Sequence, residues 1–165
     1  MSQLRRGSAR MRLLAVFVAH NSEEIYHFRT PLTTEALERV HIDAGWYRRD
    51  RFAAATALLN VAVAVLTPSV DEQRGRRWAR VGAAAAGGII LNAGGHLVRV
   101  ASTHSYNPGA VSAPVLLAVA IESLTRIAHQ DRLGVVEVGT AAGIGAVMSI
   151  PTIVGALALA MSVFR

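Results

Sequence analysis

A histidine and two glutamates with helical spacing are the residues of this sequence best suited to chemistry. His20, Glu23 and Glu24 occupy positions i, i+3 and i+4 of a largely apolar stretch, which places them on one face of a helix. His27 extends that face. Within a membrane, such groups cost roughly 2.5–3.5 kcal/mol each on insertion scales. A bound metal, a hydrogen-bond network or a shared proton would offset this cost, unless the residues mark a helix end solvated by water.

A second histidine lies in another apolar segment. His96 follows Asn92 by four residues, so both side chains share a helix face. If five helices alternate in direction, the first and third run the same way, and each carries its histidine in its second half. We therefore expect His20 and His96 at the same depth, with Tyr106 as a wall or lid. In the alternative interpretation His96 is a packing residue. Asn60 and Asn92 are expected to hydrogen-bond between helices, and Asn92 to orient His96.

Two chemistries fit these residues. In the first, His20, Glu23, Glu24 and His96 are candidate ligands of a divalent metal ion that activates water, with one glutamate acting as base. In the second, a glutamate and a histidine form a metal-free acid/base pair. Hydrolysis, isomerisation or cyclisation of a lipophilic substrate could use either. The rival classes are a proton- or ion-linked transporter or channel, and a non-catalytic membrane scaffold.

Three motifs occur in order along the chain. They are the H-x-x-E-E run from His20 to Glu24, the separate His96, and a Y-x-P-G element formed by Tyr106, Asn107, Pro108 and Gly109. Over about residues 13–160 the sequence resembles the HXXEE domain family. The resemblance implies an integral membrane protein of unknown function for which an enzymatic role is suspected. It supports a site at these residues and names no reaction.

Composition narrows the class of protein. Hydrophobic residues make up 52% of the 165 residues and charged ones 17%, against about 25% charged residues in an ordinary soluble domain. A disordered chain is excluded. The net charge of +6 comes from arginines in short clusters between apolar stretches, which argues against a nucleic-acid partner. Cysteine is absent, so disulfides, zinc–thiolate sites and thiol catalysis are excluded.

Hydropathy predicts an all-α, polytopic membrane helical bundle, because about 20 apolar residues suffice for one crossing. We treat residues 1–165 as one integral membrane domain. Residues 29–52 are predicted to form an interfacial amphipathic segment, with a helix beginning near Thr33 or Thr34. A signal peptide at the N-terminus and a buried soluble bundle are the alternatives. The five candidate transmembrane helices are 11–28, 53–70, 81–101, 110–128 and 134–164.

Small residues and arginines suggest how these helices pack and insert. Close helix packing is expected at Gly87, Gly88, Gly94 and Gly95 and at the pair Gly139 and Gly143. Pro151 is expected to kink or divide the last segment.

More arginines lie in the segments on the N-terminal side of the bundle, so the positive-inside rule places the N-terminus in the cytoplasm. The expected location is the cell membrane, with lipids and a lipophilic small molecule as partners; homo-oligomerisation is left open.

Overall fold

The computed structural model describes residues 7–28 and 48–163, and its regular structure there is entirely helical. The predicted all-α fold is therefore confirmed. A short 3-10 turn, Pro68–Val70, follows the second helix. Most of the predicted interfacial segment, including the helix start at Thr33 or Thr34, lies outside the described residues. The helices are α1 (Gly7–Tyr26), α2 (Arg49–Leu66), α3 (Arg76–Thr103), α4 (Ala113–Gln130) and α5 (Val135–Val163).

The starts of α2 and α3 differ from the predicted ones, and the last segment, left open as one helix or two, forms one helix. Helix α2 begins at Arg49, so its first turn includes residues that we assigned to the interfacial segment. Asp50 lies in that turn, where an acidic side chain interacts favourably with the helix dipole. Helix α3 begins at Arg76 rather than at residue 81, because arginine is a good helix former when exposed. Helix α5 continues through Pro151 as one helix.

Helix α3 lies between α4 and α5 and packs along both, while α1 packs on α4 and α2, and α2 packs on α5. The contact of α3 with α5 is close because glycines line it. A Cβ added to Gly87 would lie 2.1 Å from the carbonyl oxygen of Ala142, and one added to Gly145 would lie 1.8 Å from that of Ala84. Backbone therefore meets backbone, as expected where small residues line a close contact between two helices.

The glycine predictions are confirmed only in part. Gly87 and Gly88 lie at the interface of α3 with α5, as expected. A Cβ added to any of the other four predicted packing glycines would meet no atom of the described residues within 4 Å: Gly94, Gly95, Gly139 and Gly143. Gly145, which was not among the predicted glycines, makes the close helix contact instead. The spacing of glycines along a sequence shows that one face of a helix carries small side chains. Whether that face contacts a neighbouring helix depends on the packing of the whole bundle.

We expect Gly145→Ala to lower the free energy of unfolding by about 1–3 kcal/mol, because the new methyl group forces two helices apart. Gly143→Ala is the matched control, since it lies two residues away with open space at its Cβ. There the better helix propensity of alanine should leave stability unchanged or slightly higher. Thermal unfolding in detergent micelles compares the two variants. Equal midpoints would show that α3 and α5 do not meet at Gly145.

Two of the described helices, α3 and α5, are long and apolar enough to cross a membrane. Five spans are therefore not confirmed. Charged residues shorten the apolar part of two other helices: α2 begins with Arg49, Asp50 and Arg51, and α4 contains Glu122 and Arg126. These charges pair at the surface in part, with Glu122 accepting from both Arg12 and Arg126.

Candidate functional site

The two predicted histidines meet where the second half of α1 approaches α3. The rings of His20 and His96 lie edge to face with their centroids 4.9 Å apart. His20 is fully buried. Glu24 joins them, because its Oε1 lies 3.0 Å from Nε2 of His96. Each of the three side chains offers one potential ligand atom, and these atoms all lie within 4.8 Å of one another. This cluster of His20, Glu24 and His96 is called the His/Glu cluster below.

The turn that joins α3 to α4 covers the His/Glu cluster with Gly109. The backbone of Gly109 has φ of +90°, a conformation that glycine adopts at little cost and other residues rarely adopt. A Cβ at this position would lie 2.8 Å from Cε1 of His20 and 2.8 Å from Cε1 of His96. The same atom would lie 3.1 Å from Cγ of Glu24. The glycine of the Y-x-P-G element is thus the residue type that lets backbone rest directly on the cluster.

Glu23 holds this turn against α1. Its Oε1 accepts hydrogen bonds from the Tyr106 hydroxyl at 3.0 Å and the Val111 N–H at 3.1 Å. Its Oε2 accepts from the Ser112 N–H at 2.9 Å and the Ser112 hydroxyl at 2.5 Å. Backbone N–H groups only donate, so each oxygen of this carboxyl group accepts at least one hydrogen bond from the turn. Glu23 is therefore placed outside the His/Glu cluster, as the anchor of the turn.

The hydrogen bonds of Glu23 also indicate which ring nitrogen of His20 carries the hydrogen. Nδ1 of His20 lies 2.9 Å from the hydroxyl oxygen of Ser112. Because the Ser112 hydrogen is directed to Glu23, the His20 Nδ1–H must donate to Ser112. In the neutral ring Nε2 then carries a lone pair. It faces Nδ2 of Asn92, which donates to it at 3.1 Å.

Asn107 fixes the ring of His96. The amide of Asn107 donates from Nδ2 to the backbone oxygen of His96 at 3.2 Å, and its Oδ1 lies 2.7 Å from Nδ1 of His96. The first contact sets the orientation of the amide, so Nδ1–H of His96 donates to Oδ1 and Nε2 faces Glu24. The expectation that Asn92 orients His96 is wrong. Asn92 contacts His20 instead, and the turn supplies the partner of His96.

Two of these polar partners were not singled out from the sequence. Ser112 stands at the N-terminal end of α4, where serine is common as a cap, and nothing local distinguishes it from one. Asn107 stands in a turn, where asparagine is equally common. By contrast, the predicted interhelical role of Asn60 is confirmed, since it accepts a hydrogen bond of 2.6 Å from buried Asn21 of α1.

The outer rim of the site is aromatic. His27 lies just beyond the end of α1 and is exposed, so it does not continue the buried face as predicted. Its ring packs against Tyr106 with the centroids 5.4 Å apart. Tyr106 thus connects the rim to Glu23, and its role as a wall or lid stays a prediction.

A cavity of about 330 Å³ adjoins the His/Glu cluster between α1, α2, α3 and α5. Glu24 and Asn92 line it together with many apolar residues. The hydroxyl groups of three further lining residues donate to carbonyls of their own helices: Thr56, Ser149 and Thr152. These residues therefore contribute little unsatisfied polarity to the cavity.

Fold and site together define an all-helical protein with a partly buried His/Glu cluster that is covered by a glycine turn. The chain belongs to the HXXEE family, whose model, described as a protein of unknown function with an HXXEE motif, matches residues 11–122. The match covers about two thirds of the chain and includes every residue of the cluster and its turn. It ends before α5, so it is shorter than the resemblance over residues 13–160. Neither the curated proteins nor the solved structures include a significant match.

Proposed function

We propose that this protein is a membrane-embedded, metal-dependent enzyme that acts on a lipophilic substrate, with His20, Glu24 and His96 as metal ligands. One observation carries the proposal. Both imidazoles have Nδ1 bonded to a fixed partner, Ser112 or Asn107, so that each Nε2 is directed to another side chain of the site. The Nε2 of His96 faces Glu24 and that of His20 faces Asn92, and a metal ion would replace these two contacts. Histidines that bind metals typically donate their other ring N–H in this way, which fixes tautomer and orientation.

The number of ligands also suits catalysis. Two histidines and one glutamate are a ligand set of catalytic zinc sites, which keep a further position for water or substrate. A divalent metal there would polarise a substrate oxygen or supply a nucleophilic hydroxide near neutral pH. Metal binding at Nε2 of His20 would replace the hydrogen bond from Asn92. Because both oxygens of Glu23 already accept two hydrogen bonds, we assign Glu23 to holding the turn rather than to acting as base.

Membrane insertion is supported by the surface of the helices. Helices α3 and α5 meet the length and hydropathy of a span, yet α5 buries little of its apolar surface, unlike the core helix of a soluble protein. We propose that all five helices are embedded, with the N-terminus cytoplasmic. Each of them exposes large apolar side chains suited to lipid contact: Val18, Val61, Val98, Val115 and Val147 are examples.

A metal-free acid/base enzyme is the second candidate. It is favoured by the direct contact between Glu24 and Nε2 of His96 at 3.0 Å, which suits proton exchange between the two groups. A proton-linked transporter is less well supported. Among the described residues, Glu24 is the ionisable side chain that lines the cavity, so no relay of titratable groups leads away from the site there.

Metal titration of the detergent-purified, chelator-treated protein tests the proposal. Elemental analysis after dialysis against Zn²⁺ or Mn²⁺ should find about one ion per chain in the wild type. Glu24→Gln and His96→Gln should lose most of it, and the exposed His129→Gln should keep it. A folded wild type that binds no ion would refute the metal site and leave the acid/base candidate. Equal binding by all variants would place the ion elsewhere.

A further inference from the structure

The cavity beside the His/Glu cluster has the length and polarity of a site for one hydrocarbon chain. We infer that it holds a single acyl chain of a membrane lipid, with the neutral ester or amide linkage of that lipid at Glu24 and Asn92. This inference rests on the proposed function, because it names the substrate class of that site.

The first argument is length. The lining of α2 extends from Phe52 to Leu66, which at 1.5 Å per residue corresponds to about 21 Å along the helix. Helix α3 lines the cavity from Val81 to Asn92. One leaflet of a bilayer contributes about 15 Å of hydrocarbon, half of the total core. The cavity is therefore long enough for the full acyl chain of a membrane lipid, lying along the helices.

The second argument is volume. At about 330 Å³, the cavity lies at the lower end of the roughly 300–1,000 Å³ range of ligand pockets. An elongated cavity of this size has room for one chain and not for a second chain beside it. The ligand should therefore place one chain inside and leave the remainder of the lipid outside.

The third argument is polarity. Polar groups able to meet a ligand are concentrated near the site, where Glu24 and Asn92 line the cavity. Asn21 lines it too but already donates to Asn60. No arginine stands among the described residues that line the cavity, so no basic side chain there would pair with a free carboxylate, which favours a neutral linkage. The cavity thus matches an amphiphile with one apolar chain and an uncharged polar group.

Photolabelling tests this inference. The probe is a monoacylglycerol with a sixteen-carbon chain that carries a diazirine near its middle, added to the detergent-purified protein and mapped by mass spectrometry. The expected label lies on cavity residues such as Leu59 and Met148. Ala62→Phe, which fills the cavity, should reduce labelling about tenfold, equivalent to 1.4 kcal/mol of binding. The matched control is Ala57→Phe, on the same helix but exposed and outside the lining, and it should label like the wild type.

Three outcomes would overturn the acyl-chain site. They are a wild-type label confined to outward-facing residues such as Val61 and Val65, equal labelling of Ala62→Phe and wild type, or equal labelling by a farnesyl probe. If Ala62→Phe does not fold, the position of the label in the wild type decides. Metal content separates the two proposals. Bound metal without cavity labelling rejects the acyl chain alone, and cavity labelling without metal rejects the metal site alone.

Discussion

Gly109→Ala should abolish binding at the proposed metal site and lower the free energy of unfolding by about 3–5 kcal/mol. Two costs combine at this position. The backbone has φ of +90°, which an alanine adopts only with strain. The added methyl group would also lie 2.8 Å from a carbon of each imidazole, so His20 and His96 must move apart or the turn must lift from them. Either movement separates the ligand atoms of the His/Glu cluster.

Gly75→Ala is the matched control for Gly109→Ala. Gly75 also has a positive φ, +83°, but a Cβ there would meet no atom of the described residues within 4 Å. This variant bears the backbone strain without the overlap, so it should lose less stability and bind metal like the wild type. Denaturant unfolding and elemental analysis measure both effects. Wild-type metal affinity in Gly109→Ala would show that the turn does not rest on the histidines.

The pairing of distant motifs was predictable from the sequence because it depends on helix order. The first and third helices were expected to run in the same direction, each with its histidine in its second half. The structure brings His20 and His96 together there. The all-α class was predictable from hydropathy, because long apolar segments are a strong signal of helices. The expectation of five spans went further than length and hydropathy support, because charged residues stand at the start of α2 and within α4.

The partners of the histidines were not predictable in the same way. His20 contacts Ser112 across 92 positions of the chain, and Ser112 contacts Glu23 across 89. A serine at a helix start and an asparagine in a turn both have ordinary local roles. Their selection as partners depends on the path of the turn over α1. That path is set by the conformation of Gly109 and the four hydrogen bonds of Glu23.

Glu23→Gln is the second substitution expected to have a large effect, since it changes one atom of the anchor of that turn. The carboxylate accepts two hydrogen bonds on each oxygen. A glutamine amide offers one oxygen and one NH₂ group, so its NH₂ must face two donors, either at Ser112 or at Tyr106 and Val111. We expect a loss of about 2–4 kcal/mol in the free energy of unfolding, because hydrogen bonds to a charged group are lost and donors are left unpaired.

The same substitution should weaken the proposed metal site without removing one of its proposed ligands. Loss of the charge that orients Ser112 also loosens His20, and changes of this kind typically lower metal affinity about 10–100-fold. Glu122→Gln is the matched control, since Glu122 is 40% exposed and pairs with Arg12 and Arg126 at the surface; it should cost less than about 1 kcal/mol. Unfolding in detergent and metal titration compare the two. Equal losses of stability, or unchanged metal affinity in Glu23→Gln, would mean that the turn is held by other contacts and that His20 needs no support from Ser112.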